Sequence, residues 1–134
     1  MAHAGQEIRG QDGYLLRLVT TGAETGGELL EMEATYPGGG ALPPEHFHPE
    51  QDERFEVLEG AVRTIIAGIE RRYDSGEIFE VPAGTPHQMT GDGPARVRWL
   101  VTPALRTAEF FELLHSGGLE SLDQFSREIR FSAA

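Results

Sequence analysis

Residues 40–60 read GALPPEHFHPEQDERFEVLEG, and the reading of this stretch decides the fold. It opens in a loop, because Pro37–Pro44 is rich in glycine and proline. His46 and His48 stand two residues apart, so on a strand both side chains point to one face. Pro49 breaks the run. On the next strand the pattern alternates, with Glu53, Phe55 and Val57 on one face and Arg54, Glu56 and Leu58 on the other. The stretch therefore predicts a strand carrying a carboxylate and an aromatic ring on its inward side, preceded by two histidines.

The same punctuation continues outward. Leu30, Met32, Ala34 and Tyr36 alternate with Glu31, Glu33 and Thr35. Tyr14–Thr20, Val62–Ile66, Ile78–Val81, His87–Met89 and Val97–Val101 read as further strands, with a Gly/Thr turn at Thr21–Gly27 and turns at Gly60, Gly68, Gly76, Gly84 and Gly91. Short strands at spacings of about 8–12 residues indicate an all-β antiparallel sandwich or barrel. Residues 1–12 are polar and expected to be loose. Residues 13–102 form the barrel, and residues 103–134 change character. Thr107–His115 places Phe110, Phe111, Leu113 and Leu114 on one side of a short helix that Gly117 stops. Ser121 and Gln124 have capping-box spacing, with Leu122, Phe125 and Ile129 following at helical intervals. Two short C-terminal α-helices packed outside the barrel are expected, with His115 as a cation favoured by a helix C-terminus.

Composition narrows the chemistry. The 134 residues fit one domain. The chain has no Cys, Lys or Asn, which excludes thiolate nucleophiles, Cys-type zinc sites, Schiff-base chemistry, a P-loop lysine and N-glycosylation. A net charge of −11 repels phosphate backbones, so no nucleic-acid partner is expected. No apolar run approaches the ~20 residues of a membrane helix, and the N-terminus lacks a signal-peptide pattern; a soluble, cytoplasmic protein without a membrane partner is expected.

A second stretch, residues 76–91, reads GEIFEVPAGTPHQMTG. Its His87 follows the turn Pro82-Ala83-Gly84-Thr85-Pro86, whose prolines and glycine fix the entry angle and suit a ligand that must be held still. Together the two stretches resemble the motifs of the cupin superfamily. The first motif is Gly, five residues, His-x-His, three or four residues, Glu, six residues and Gly, matched by Gly40, His46, His48, Glu53 and Gly60. The second is Gly, five residues, Pro-x-Gly, two residues, His, three residues and Asn, matched by Gly76, Pro82, Gly84 and His87, with Gly91 in place of the final Asn. The resemblance implies a double-stranded β-helix (jelly-roll) barrel with one divalent transition metal ion in its mouth, held by His46, His48, Glu53 and His87. Neutral imidazoles and a carboxylate suit Fe, Mn, Ni, Co, Cu or Zn.

Strand parity places Met32, Phe55, Val57, Ile66, Ile78, Met89, Val97 and Trp99 inside. Phe55, Met89 and Trp99 are the candidates to meet a substrate near the mouth. Arg63, Arg96 and Arg98 share parity with exposed positions, which disfavours a phosphorylated sugar because such a ligand needs a cationic anchor. An apolar, aromatic or keto-enol molecule fits better. The 37–45 loop, with Gly38-Gly39-Gly40, is either a flexible lid or a tight connection. The resemblance implies a metal-dependent enzyme, either dioxygenase-like or a Lewis-acid isomerase, cyclase or decarboxylase in which Glu53 could serve as base. A non-enzymatic metal-containing sensor or carrier is the alternative, and a storage role ranks below both. Because sandwich edges must be paired or covered, a homodimer is expected.

Overall fold

The computed structural model describes residues 2–118 and 123–132. Eleven strands run β1 (Glu7–Arg9), β2 (Leu15–Thr20), β3 (Leu30–Tyr36), β4 (His46–Phe47), β5 (Asp52–Glu59), β6 (Ala61–Ile66), β7 (Ile69–Asp74), β8 (Ile78–Val81), β9 (His87–Gly91), β10 (Ala95–Thr102) and β11 (Arg130–Phe131). They form two antiparallel sheets, one ordered β1-β2-β3-β10-β5-β8 and the other β11-β4-β9-β6-β7. The helices are α1 (Gly22–Thr25) and α2 (Thr107–Ser116). No helix among the described residues is long and apolar enough to cross a membrane.

The inner faces follow the alternation read from the sequence. On β5, Glu53, Phe55 and Val57 are buried; on β10, Val97, Trp99 and Val101 are buried. Register brings Trp99 opposite Met32 on β3 and opposite Phe55 on β5, so three neighbouring strands place large side chains at one level. The outer face of the same sheet carries cross-strand ion pairs, Arg17 and Arg96 with Glu33 and Arg98 with Glu31. Exposed pairs of this kind contribute little each; they keep that face wet and fix which side is out.

Several elements depart from the sequence reading. Ile78, expected inside, is 48% exposed, while Phe79 and Val81 are buried. The turn sets the phase of β8: Val57 N–H donates to Glu77 O and Gly76 N–H to Val57 O, which points the even-numbered side chains outward. The segment Ile69–Asp74 forms β7 without an alternating signal, because five of its six side chains are exposed. Thr21–Gly27 contains the single turn α1, where the Glu24 carboxylate accepts from the Thr21 N–H (2.9 Å) and hydroxyl (2.6 Å). Glu7–Arg9, within the stretch read as loose, pairs with Leu15–Arg17.

The second C-terminal helix is also absent from the described residues. Asp123–Phe125 makes one 3-10 turn, and Arg130–Phe131 pairs with β4; Ser121 and Leu122 lie outside the described residues. Phe125 and Ile129 do bury together against Phe110, as their helical spacing suggested. A single turn suffices to bring them there, and the chain then extends to complete the sheet edge. The C-terminal segment thus adds a strand to the barrel as well as packing on it.

The β6–β7 hairpin is closed by the two-residue loop Ala67-Gly68, both with positive φ (51° and 78°), the type I′ geometry that matches strand twist. Glycine adopts this conformation freely, whereas alanine at Ala67 is strained by about 1–2 kcal/mol. Ala67→Asn is expected to stabilise the fold by about 1 kcal/mol, read as a higher denaturant midpoint at unchanged slope.

Candidate metal centre and its cavity

Three histidines converge on the second sheet. His46 on β4 is the register partner of His87 on β9, and His48 follows one residue beyond β4. Their ring centroids are 4.4–5.2 Å apart, and one ligand nitrogen from each lies within 4.8 Å of the others. Glu53 reaches them from β5, which belongs to the opposite sheet rather than to a neighbouring strand. Its Oε1 stands 3.2 Å from His48 Nε2 and 3.1 Å from His87 Nε2.

Backbone carbonyls orient every ring. Nδ1 lies 3.0 Å from Pro44 O in His46, 2.7 Å from Glu128 O in His48 and 2.9 Å from Thr85 O in His87. A carbonyl only accepts, so each Nδ1 carries a proton and each neutral ring presents its Nε2 lone pair to the centre. Trp99 does the same for the acid, donating its indole N–H to Glu53 Oε2 at 2.7 Å. Glu53 Oε1 and His48 Nε2 are buried and have no properly directed hydrogen bond. Buried polar atoms left unpaired are costly, and a cation between them would resolve the conflict. The donor set fits a borderline divalent metal, so the three histidines could bind a metal ion with Glu53 beside them.

The electrostatics agree. Burial pushes the Glu53 carboxyl up, but with no ion present a proton shared with the His48 and His87 rings takes the cation's place, and their proximity outweighs burial and holds Glu53 well below the usual carboxylate range. Burial also lowers His48, and the adjacent Glu53 reverses the sign, leaving it raised. At His46 burial dominates, helped by His87, and the pKa falls to about 4.

A cavity of about 670 Å³ opens in front of the cluster. Phe55, Met89 and Trp99 line it, and among the described residues no arginine does. Phe55 stacks on Trp99 (centroids 5.4 Å) and on Phe79 (4.9 Å), making one wall flat and aromatic. Phe110, Phe111, Leu114 and His115 of α2 and Phe131 of β11 complete the lining. Helix α2 is therefore part of the cavity wall, although its pattern alone suggested an outer layer. Buried Gln51 holds it there: its amide nitrogen lies within hydrogen-bond distance of Pro103 O (2.9 Å), Ala104 O (3.1 Å) and the Thr107 hydroxyl (2.8 Å) at the start of α2, sharing its two hydrogens among them.

Residues 32–103 match the model of the cupin domain. The chain belongs to the cupin family. No curated protein matches it in sequence. Among solved structures it is similar to KdgF from Halomonas sp., with TM-score 0.64 and 23% identity over 73% of this chain and 87% of that one. A predicted oxalate decarboxylase from Thermotoga maritima gives TM-score 0.65 and 14% identity over 75% and 92% of the two chains. A putative ethanolamine utilization protein Q from Salmonella typhimurium gives 0.61 and 19% over 72% and 79%. At these identities the likeness concerns the barrel.

Within this cupin barrel the sequence reading missed two kinds of residue. Gln51 and Glu128 act through hydrogen bonds to distant backbone, which leave no periodic signal. Tyr14, Tyr36 and His115 enter the cavity from outside the two motifs. His115 is half-buried, stacked on Tyr14 (centroids 5.6 Å) and Phe111 (6.3 Å), and burial lowers its pKa. It is thus a neutral ring in an aromatic stack, and not the helix-terminal cation expected.

That correction has a pH signature. A histidine lowered by folding adds stability that is complete above about pH 6.5 and declines as pH falls toward the folded value. The loss of melting temperature from pH 7 to 5 should be smaller in His115→Phe than in the wild type; a stabilising cation would make it larger.

Trp99→Phe keeps the ring stack and removes the hydrogen bond to Glu53. Loss of such an orienting partner typically costs about 10–100-fold in metal affinity. A chelator-competition titration is expected to show at least a tenfold loss with the fold intact, and unchanged affinity would leave Trp99 as cavity wall alone.

Proposed function

We propose that this cupin is a metal-dependent enzyme acting on a small, largely apolar organic molecule that enters the cavity and meets the histidine cluster. The observation that carries this reading is Glu53: a carboxylate 2% exposed, aimed at two imidazoles, with one oxygen held by Trp99 and the other without a hydrogen bond. His46, His48, His87 and Glu53 would hold one divalent transition ion. When bound, the ion would supply Lewis-acid polarisation of a substrate oxygen or a redox centre for dioxygen chemistry.

The chain's own groups divide the remaining work. Phe55, Trp99 and Met89 offer an apolar surface to the substrate and exclude water from the cluster, which strengthens every charge interaction there. Glu53 is the one carboxylate lining the cavity among the described residues. It is the candidate base if it leaves the ion, and would then take a proton at Oε1, since Trp99 occupies Oε2. With no arginine in the described lining, a substrate bearing phosphate has no counter-charge there.

Protein purified without a histidine tag is expected to contain about one equivalent of divalent metal per chain, and His87→Ala less than a tenth of that with an unchanged circular dichroism spectrum. Equal metal content in the two would contradict the reading. Oxygen uptake after anaerobic loading with ferrous iron, absent after loading with zinc, would favour the dioxygenase-like form of the enzyme.

A further inference from the structure

Tyr14 and Tyr36 contribute their rings to the cavity wall, 5.4 Å apart in an edge-to-face pair. Neither hydroxyl has a hydrogen-bond partner among the described residues, and neither is sealed from the cavity as Glu53 Oε1 is. Burial raises both phenols above their ordinary value, so both remain O–H donors throughout the physiological range. A cavity that leaves two donors unmatched on an otherwise apolar wall is built to match them with a ligand.

Register sets where they stand. Glu53 lies opposite Val101 and Tyr36 opposite Ala95, so the two side chains start from opposite ends of β10. The Tyr36 phenol nevertheless lies within range of the Glu53 charge, which helps to raise it, so the tyrosine hydroxyls and the histidine end share one small cavity.

Gly91 explains how Tyr36 fits. A Cβ at Gly91 would lie 2.8 Å from Tyr36 Cβ and 2.7 Å from Gly93 O, closer than side chains tolerate. Gly91 does not have positive φ, so the glycine serves space and not backbone conformation. The position where this sequence departs from the cupin motif is the position that admits the Tyr36 ring.

We propose that Tyr36 and Tyr14 form a second recognition point of the cavity, and that its ligand is a small aromatic or similarly apolar molecule. It would carry one oxygen toward the histidine cluster and a neutral hydroxyl or carbonyl oxygen toward the tyrosines. The histidine end of this assignment rests on the metal reading above; the tyrosine end does not. A site built to hydrogen-bond a ligand oxygen discriminates strongly against the analogue lacking it, because its own polar groups are then left unpaired.

The probes are acetophenone, 3-hydroxyacetophenone and 4-hydroxyacetophenone, titrated by calorimetry or NMR into zinc-treated and metal-free protein. In the wild type at least one hydroxylated ketone should bind about tenfold tighter than acetophenone. In Tyr14→Phe/Tyr36→Phe that advantage should vanish while acetophenone affinity and zinc content stay as in the wild type. Equal binding of all three ketones, a hydroxyl preference that survives both substitutions, or no binding of any of them overturns the proposal. A hydroxyl preference that depends on the tyrosines but persists in a protein unable to bind zinc would sustain it and remove the metal reading instead.

Discussion

The buried carboxylate of Glu53 is the constraint around which the molecule is organised. Taking such a group out of water costs several kcal/mol unless it is paired and hydrogen-bonded. Here one oxygen is compensated and the other calls for a cation or a proton. Trp99, its neighbour on β10, fixes one oxygen, and imidazoles from the opposite sheet face the other. The two sheets thus bring their ligand atoms together around one cation-sized gap at the point where the cavity begins. The carbonyls of Pro44, Thr85 and Glu128 hold the three rings in the tautomer that turns Nε2 inward. Glu128 belongs to the C-terminal segment, so the tail of the chain supports the cluster as well as covering the barrel.

The cavity follows from the same geometry. One sheet supplies a flat aromatic wall through Phe55 and Trp99, and α2, anchored by Gln51, supplies the facing rings. Arg96 and Arg98 point outward from β10 and pair with Glu33 and Glu31 across strands. The interior therefore offers shape, apolar surface and a few fixed polar groups, the usual make-up of a small-molecule site.

Much of this was legible in the chain because two periodicities are strong. The alternation over Glu53–Leu58 gave the correct inward face of β5, and the turn before His87 placed that ring at the head of β9. What was illegible had physical reasons. Strand β7 is exposed on nearly every side chain, so burial imprints no alternation on it. Strand β11 has two residues, too few for a period. Ile78 and Phe79 are both apolar, and only the hydrogen bonds of the preceding turn decide which faces in. His115 looked like a helix-terminal cation because the sequence does not show the Tyr14 ring stacked on it. The need for glycine at position 91 lies in the Tyr36 side chain packed against it, a contact that no sequence pattern shows.

The most direct test of the account is an anomalous-diffraction map of the protein crystallised with its divalent metal and recorded at that metal's absorption edge. The account predicts one strong peak enclosed by the Nε2 atoms of His46, His48 and His87 and by Glu53 Oε1, at about 2.0–2.2 Å from each if the metal is zinc-like. A map without a peak there, in crystals whose metal is bound elsewhere or not at all, would contradict it.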